Sequence, residues 1–167
     1  MSAKYDVAVV GATGAVGETM LEILAERHFP VNHVYPLASA RSAGKKVPFG
    51  DTYLTVQDLD GFDFSRARIG LFSAGASISE KYAPNAAAAG CVVIDNTSQF
   101  RSDDEIPLVV PEVNPQAIAD YPRHNIIANP NCSTIQMLVA LKPLHLSLIH
   151  ISEPTRPFTL SRMPSSA

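Results

Sequence analysis

No apolar run in this sequence approaches the roughly 20 residues of a membrane-spanning helix. The opening Met1–Tyr5 leads into a stretch too short for a secretory h-region. Only two cysteines occur, Cys91 and Cys132, too few for a disulfide framework. No long basic run interrupts a chain of net charge −3, so neither nucleic acid nor a membrane surface is an expected partner. Nor is a metal expected. The setting these absences predict is cytoplasmic, with reduced thiols. Charge itself is sparse, at 17% against 46% hydrophobic residues, and 167 residues suffice for one globular core.

One stretch organises the rest. Val7–Val10 has strand character and stops at Gly11, and Gly11, Gly14 and Gly17 carry the chain into a segment where Val16, Met20, Ile23 and Leu24 recur at helical spacing. Strand, glycine turn and helix is the context of a dinucleotide fingerprint. Glycines admit a pyrophosphate close to the backbone, and the helix start offers unpaired N–H groups with the positive dipole end. Ala12 stands where the usual second glycine would be, and the same glycines also serve a plain tight turn.

A second absence bears on the cofactor. A fold selective for NAD ends its second strand in an acid, about 20 residues past the glycines, that holds the ribose 2′-hydroxyl. No Asp or Glu lies between Glu26 and Asp51. After the strand expected over Val31–Leu37 come Ser39, Arg41 and Ser42, in a small basic loop predicted to be flexible. Hydroxyls and a forked guanidinium suit a 2′-phosphate, so NADP is expected over NAD, against the alternative of an ordinary solvated loop.

Further along, Val47–Phe49 and Leu54–Val56 read as short strands around a Gly50–Asp51 turn, and Ile69–Phe72 as a buried strand entering the small residues Ser73, Ala74 and Gly75. A helix follows to Ala89 with Pro84 placed in its first turn. Cys91–Asp95 is another buried strand, with Cys91 an inert core thiol; Pro107–Val110 and Pro111–Asn114 look strand-like, and Asn125–Ala128 closes the series. Strands alternating with helices at this spacing predict an α/β, Rossmann-like, doubly wound and mostly parallel sheet. Asn129-Pro130-Asn131-Cys132 then opens a helix predicted to run to Pro143, with Asn131 as cap and Cys132 in the first turn. A helix start favours the thiolate, and its N–H groups suit an oxyanion; position alone also allows a structural cysteine.

Gly11–Gly17, Ser39–Ser42, Phe72–Gly75, Val93–Asn96, Ile106–Asn114 and Ile127–Thr134 together resemble aspartate-semialdehyde dehydrogenase, in order and spacing from about Tyr5 to His145. The resemblance implies that Thr13, Gly14, Ala15 and Val16 contact the NADP pyrophosphate, and that Arg41 and Ser42 hold its 2′-phosphate. It implies that Ser73, Ala74 and Gly75 line the cofactor site, that Arg101 binds the substrate phosphate, and that Cys132 is the acyl-thioester nucleophile with Asn131 beside it. The implied activity is NADPH-dependent reductive dephosphorylation of aspartyl-4-phosphate to aspartate-4-semialdehyde, in amino-acid biosynthesis. Full-length members are implied to be homodimers or homotetramers.

That family runs to about twice this length, and its orienting glutamine, histidine base and amino-acid-gripping residues have no matching positions here; neither His145 nor His150 is assigned as the base. Residues 1–145 are expected to be the NADP-binding domain. From Leu146 the chain resembles a conceptual translation of a sequencing-library adapter, so 146–167 is expected to be a tail foreign to the family and the fragment inactive alone. N-acetylglutamyl-phosphate reductase and a non-catalytic NADP-binding module are the competing readings.

Overall fold

A computed structural model describes residues 3–152, with side chains as far as residue 147. The chain divides into two compact units, Met1–Asn131 and Cys132–Ala167. The first holds β1 (Tyr5–Val10), α1 (Ala15–Glu26), β2 (Val31–Ala38), β3 (Lys46–Phe49), β4 (Thr52–Thr55), β5 (Gln57–Asp58), β6 (Ile69–Phe72), α2 (Ala76–Ala88), β7 (Val92–Asp95) and β8 (Ile126–Ala128). The second begins with α3 (Cys132–Ser152). The tail expected over 146–167 lies beyond the described residues after Ser152.

Six strands form one parallel sheet in the order β5-β2-β1-β6-β7-β8, and β3 and β4 form a separate antiparallel pair. β1 is buried on both faces because its side chains alternate between two cores. Val7 and Val9 pack with Leu21 of α1 on one face. Ala8 and Val10 face the cluster holding Ala83, Ala86 and Ala87 of α2. Helices on both faces make this a doubly wound, Rossmann-like α/β domain.

β2 matches the strand expected over Val31–Leu37 to within a residue, while several other elements differ from the sequence expectation. Pro36 lies inside β2 opposite Val9. The Leu37 carbonyl faces β1, accepting from Gly11 and Ala12, so Pro36 faces the outer side, where β5 pairs only with Leu37 and Ala38. A strand tolerates proline where no partner needs its N–H. Pro84 stands in the interior of α2 and Pro143 inside α3. In α2 the missing N–H is offset by Ala83, Ala86 and Ala87, all buried against the sheet. The loop after β2 is an ordered 3-10 turn over Ala40–Ser42, with the Ser42 N–H donating to Ser39 O at 2.8 Å. Cys91 precedes β7 and is fully buried.

Residues 107–114 form no strands; a single bridge joins Leu108 to Ala128. Asn114 folds the segment back on itself, its Oδ1 accepting from Val110 N at 2.8 Å and its Nδ2 donating to Leu108 O at 2.9 Å. Short-range side-chain bonds of this kind compete with strand pairing. β5 and a 3-10 stretch over Pro115–Arg123 went unanticipated, being too short or too irregular for a periodic signal.

The tightest packing lies between α1 and the turn before it. A Cβ built on Gly17 would stand 2.2 Å from Gly11 O and 2.8 Å from Ala12 Cα, both backbone. Gly17→Ala is therefore expected to destabilise the domain by about 1–3 kcal/mol, the range for overpacking. Urea denaturation of the variant should show a lower midpoint, and an unchanged one would mean the turn has room.

Candidate functional site

Between β1 and β6 the strand order reverses, since β1 continues to β2 on one side and β6 to β7 on the other. In open α/β sheets such a point leaves a crevice at the carboxyl edge. Here Gly11 follows β1 at φ 91°, and a Cβ on it would lie 3.0 Å from Ala74 N and Ser73 Oγ. The turns after the two strands therefore touch. Ser73 bonds back to β1 through its N–H (2.9 Å) and its hydroxyl (3.1 Å), both donating to Val10 O. Gly14 caps α1 with no side-chain bond. The first-turn amides of α1 thus lack both intrahelical and side-chain acceptors, the arrangement that receives an anion.

Gly11, Thr13, Gly14, Ser39, Arg41, Ser73 and Ala74 line one cavity of about 660 Å³. Residues far apart in sequence meet here because the carboxyl ends of β1, β2 and β6 are neighbours in the sheet. Ala15, Val16, Ser42 and Gly75 are not among its lining residues. Ala15 and Val16 form the first turn of α1, with Val16 exposed; Ser42 ends the 3-10 turn; Gly75 precedes α2 at φ 101°. The lining suits a dinucleotide: amides and glycines for a pyrophosphate, Ser39 and Arg41 for a ribose or its phosphate.

Sequence reasoning missed the far wall. Asp58, Leu59 and Asp60 enter it from the end of β5, and Ile78, Lys81 and Tyr82 from one face of α2. Tyr82 donates its hydroxyl to Asp60 Oδ1, and Lys81 Nζ lies 3.0 Å from the same oxygen and 2.7 Å from Tyr82 Oη. The Tyr82 bond, then Lys81, holds the Asp60 carboxyl below the usual carboxylate range. Ile78, Lys81 and Tyr82 at helical spacing were the only available sign that these side chains share a face.

A polar network ties the next two strand ends together. Asp95, fully buried at the end of β7, accepts from Ser79 Oγ at 2.7 Å, Thr97 Oγ1 at 2.7 Å and Thr97 N at 3.2 Å. Asn129, just past β8, donates its N–H to Asp95 O and its Nδ2 to Asn96 Oδ1. Arg101 reaches across both turns, from Nε to Asn129 O and from Nη2 to Asn96 O, each at 2.9 Å. Half-buried Arg101 is therefore held in one orientation rather than extended into solvent. Its fork has five N–H donors, and these two contacts engage only part of it.

In the second unit Cys132 is the first residue of α3 and is exposed, directly after Asn131. Cys91 contrasts with it: burial pushes its thiol up to about 12. Among the described residues no His, Cys, Asp or Glu cluster could hold a metal ion, and no helix is long and apolar enough to cross a membrane.

Residues 6–121 match the model of the semialdehyde dehydrogenase NAD-binding domain. Over 145 residues, 87% of this chain, the sequence is 64% identical to aspartate-semialdehyde dehydrogenase of Shewanella violacea and 63% identical to aspartate-semialdehyde dehydrogenase 2 of Vibrio cholerae. The chain belongs to the aspartate-semialdehyde dehydrogenase family. It spans 43% of the length of those two relatives. The crystal structure of the Vibrio cholerae enzyme II complexed with ASA superposes with a TM-score of 0.84 at 61% identity, covering 87% of this chain and 47% of that one. The Candida albicans enzyme with NADP gives 0.72 at 26% identity, covering 87% and 48%. In this family member the cavity at the switch point is thus part of an NAD(P)-binding domain.

The two thiols of the chain should separate chemically. At pH 8 a thiol of pKa about 12 is ionised to the order of one part in 10⁴. Iodoacetamide is expected to label Cys132 well ahead of Cys91 in the folded chain, and both in denaturant, as read by peptide mass spectrometry. Equal labelling of the folded protein would contradict the burial of Cys91.

Proposed function

We propose that these residues form the cofactor-binding, nucleophile-bearing part of an enzyme that converts L-aspartyl-4-phosphate and NADPH into L-aspartate-4-semialdehyde, phosphate and NADP. The observation that carries this reading is the switch-point cavity, where the glycine turn leading into α1 (Gly11, Thr13, Gly14), Ser39 and Arg41 line one space. Family relatives described with ASA and with NADP support it. Such an enzyme serves amino-acid biosynthesis in the cytoplasm, assembling as a dimer or tetramer at full length.

In this mechanism the α1 amides near Thr13–Val16 receive the pyrophosphate, Ser73, Ala74 and Gly75 form its other side, and Arg41 with Ser39 and Ser42 takes the 2′-phosphate. Cys132 Sγ, as thiolate, attacks the acyl carbon; a C–S bond forms, the C–O bond to phosphate breaks, and the leaving phosphate takes the bond's electrons. The first-turn N–H groups of α3 stabilise the oxyanion on that carbon, and Asn131, beside Cys132, contacts the substrate. Arg101, oriented by Asn96 and Asn129, pairs with the phosphate. NADPH, when bound, supplies the hydride that reduces the thioester and returns the Cys132 thiolate. A general base contributes 10²- to 10⁴-fold in such chemistry. The histidine base of the family has no matching position in this sequence, and neither His145 nor His150 is assigned to the role, so residues 1–167 alone are expected to bind cofactor without turning over.

Cofactor choice tests the assignment of Arg41. NADPH should bind more tightly than NADH, measured by nicotinamide fluorescence. Arg41→Ala should weaken NADPH by about 1.5–3 kcal/mol, the range for hydrogen bonds to charged groups, while leaving NADH nearly unchanged. Equal affinities in the parent chain would overturn the NADP preference. In a chain extended to the length of its relatives, Arg101→Ala should raise the phosphate KM in the semialdehyde-oxidising direction without weakening NADPH. A normal phosphate KM would leave Arg101 a purely structural clamp.

A further inference from the structure

Sheet order sets three chemistries side by side along one edge. The glycine turn follows β1, the Ser39–Ser42 turn follows β2, and Asp58 ends β5, the next strand outward. Strands lie about 4.8 Å apart, so Asp58 stands two strand positions from the glycines. A nucleotide with its pyrophosphate at β1 and its ribose at β2 therefore brings its base to β5.

At that end the cavity is walled by Asp58, Leu59, Ile78 and Tyr82. Leu59 is buried, and its N–H donates to Ala38 O at 2.8 Å, which fastens the β5 turn to the end of β2. The two acids here are not equivalent. Exposed Asp60 is already held by Tyr82 and Lys81. Half-buried Asp58 accepts from the Asp60 N–H through Oδ1 at 3.2 Å, and among the described residues it forms an ion pair with no cation. A carboxylate accepts hydrogen bonds and donates none. An acceptor beside apolar and aromatic surface, one strand beyond the ribose position, matches a flat heterocycle with an exocyclic amine.

We infer that Asp58 determines base specificity, its carboxylate accepting the 6-amino group of adenine while Ile78 and Tyr82 cover the ring. The inference rests on the NADPH reading above and deepens it. A 6-oxo purine would set oxygen against oxygen, which discriminates through repulsion as well as through the lost bond. Asp58→Asn keeps the Oδ1 acceptor for the Asp60 N–H and adds an amide donor that a 6-oxo group accepts.

The test compares binding of NADPH and of its hypoxanthine analogue to the 167-residue chain and to Asp58→Asn, by nicotinamide fluorescence. The parent chain should prefer NADPH by at least tenfold, and in Asp58→Asn the ratio should fall to within about twofold of unity or reverse. Equal affinities in the parent overturn the inference whether or not the variant folds. A variant that weakens both nucleotides alike, with the ratio intact, overturns it too and puts Asp58 on the ribose. Binding of neither nucleotide to the parent overturns the cofactor reading along with it, which separates the two failures.

Discussion

The approach of α1 to the backbone of the turn before it is the contact on which the remainder of the first unit depends. Gly17 has no room for a Cβ beside Gly11 O and Ala12 Cα. Because that gap is closed, α1 starts a few residues past the carboxyl end of β1, directly after the Gly11–Gly14 turn that lines the crevice. Gly11 repeats the constraint on the other side, against Ser73 and Ala74. Gly11 thereby sets how closely the β1 and β6 turns approach, and Gly17 how closely α1 approaches the β1 turn. A side chain at either point would push apart the surfaces that must converge on one ligand.

Moving outward from that crevice, the carboxyl edge divides into two regions of different character. On the β2 and β5 side the wall is a mixture of charges, Arg41 and Lys81 sharing the lining with Asp58 and Asp60. Tyr82 and Lys81 engage Asp60, so the acids of this wall do not act alike. On the β7 and β8 side the polar groups bond chiefly to one another. Asp95 is buried yet has three hydrogen bonds from Ser79 and Thr97, which is what makes a buried carboxylate tolerable. Arg101, Asn96 and Asn129 extend that network to the two turns. The first region leaves donors and acceptors facing open space, and the second makes a rigid frame. A binding site and its support are thus built from adjacent strand ends of one sheet.

Much of this was legible in the sequence. The strand, glycine turn and helix over Val7–Glu26 carry their own period and their own breakers, so local pattern sufficed for β1, its turn and α1. The β3–β4 hairpin, β6 and β8 declared themselves the same way. Cys91 read as a core thiol from its apolar neighbours, and it is fully buried. Position in the chain also linked Ser39, Arg41 and Ser73 to the carboxyl ends of strands, where a ligand would meet them.

What only the tertiary structure decided has a common cause: those features depend on partners distant in sequence. β5 is two residues long and exists because Leu37 and Ala38 pair with it, so the acids beside it could not be seen entering the cavity. No acid lies between Glu26 and Asp51 in the chain, yet Asp58 and Asp60 enter the pocket. The family resemblance singled out Arg101 for phosphate, but the Asn96 and Asn129 carbonyls that hold its guanidinium are partners only the fold supplies. Pro84 was expected in a helix's first turn and stands in the interior of α2, where the buried Ala83, Ala86 and Ala87 offset the N–H it lacks. Over 107–114 the strand-like residues lost to the Asn114 side chain, which satisfies nearby backbone groups first. Local periodicity determined which elements form; the order of strands in the sheet determined which side chains share a site, since adjacency across a sheet leaves no mark on any one segment.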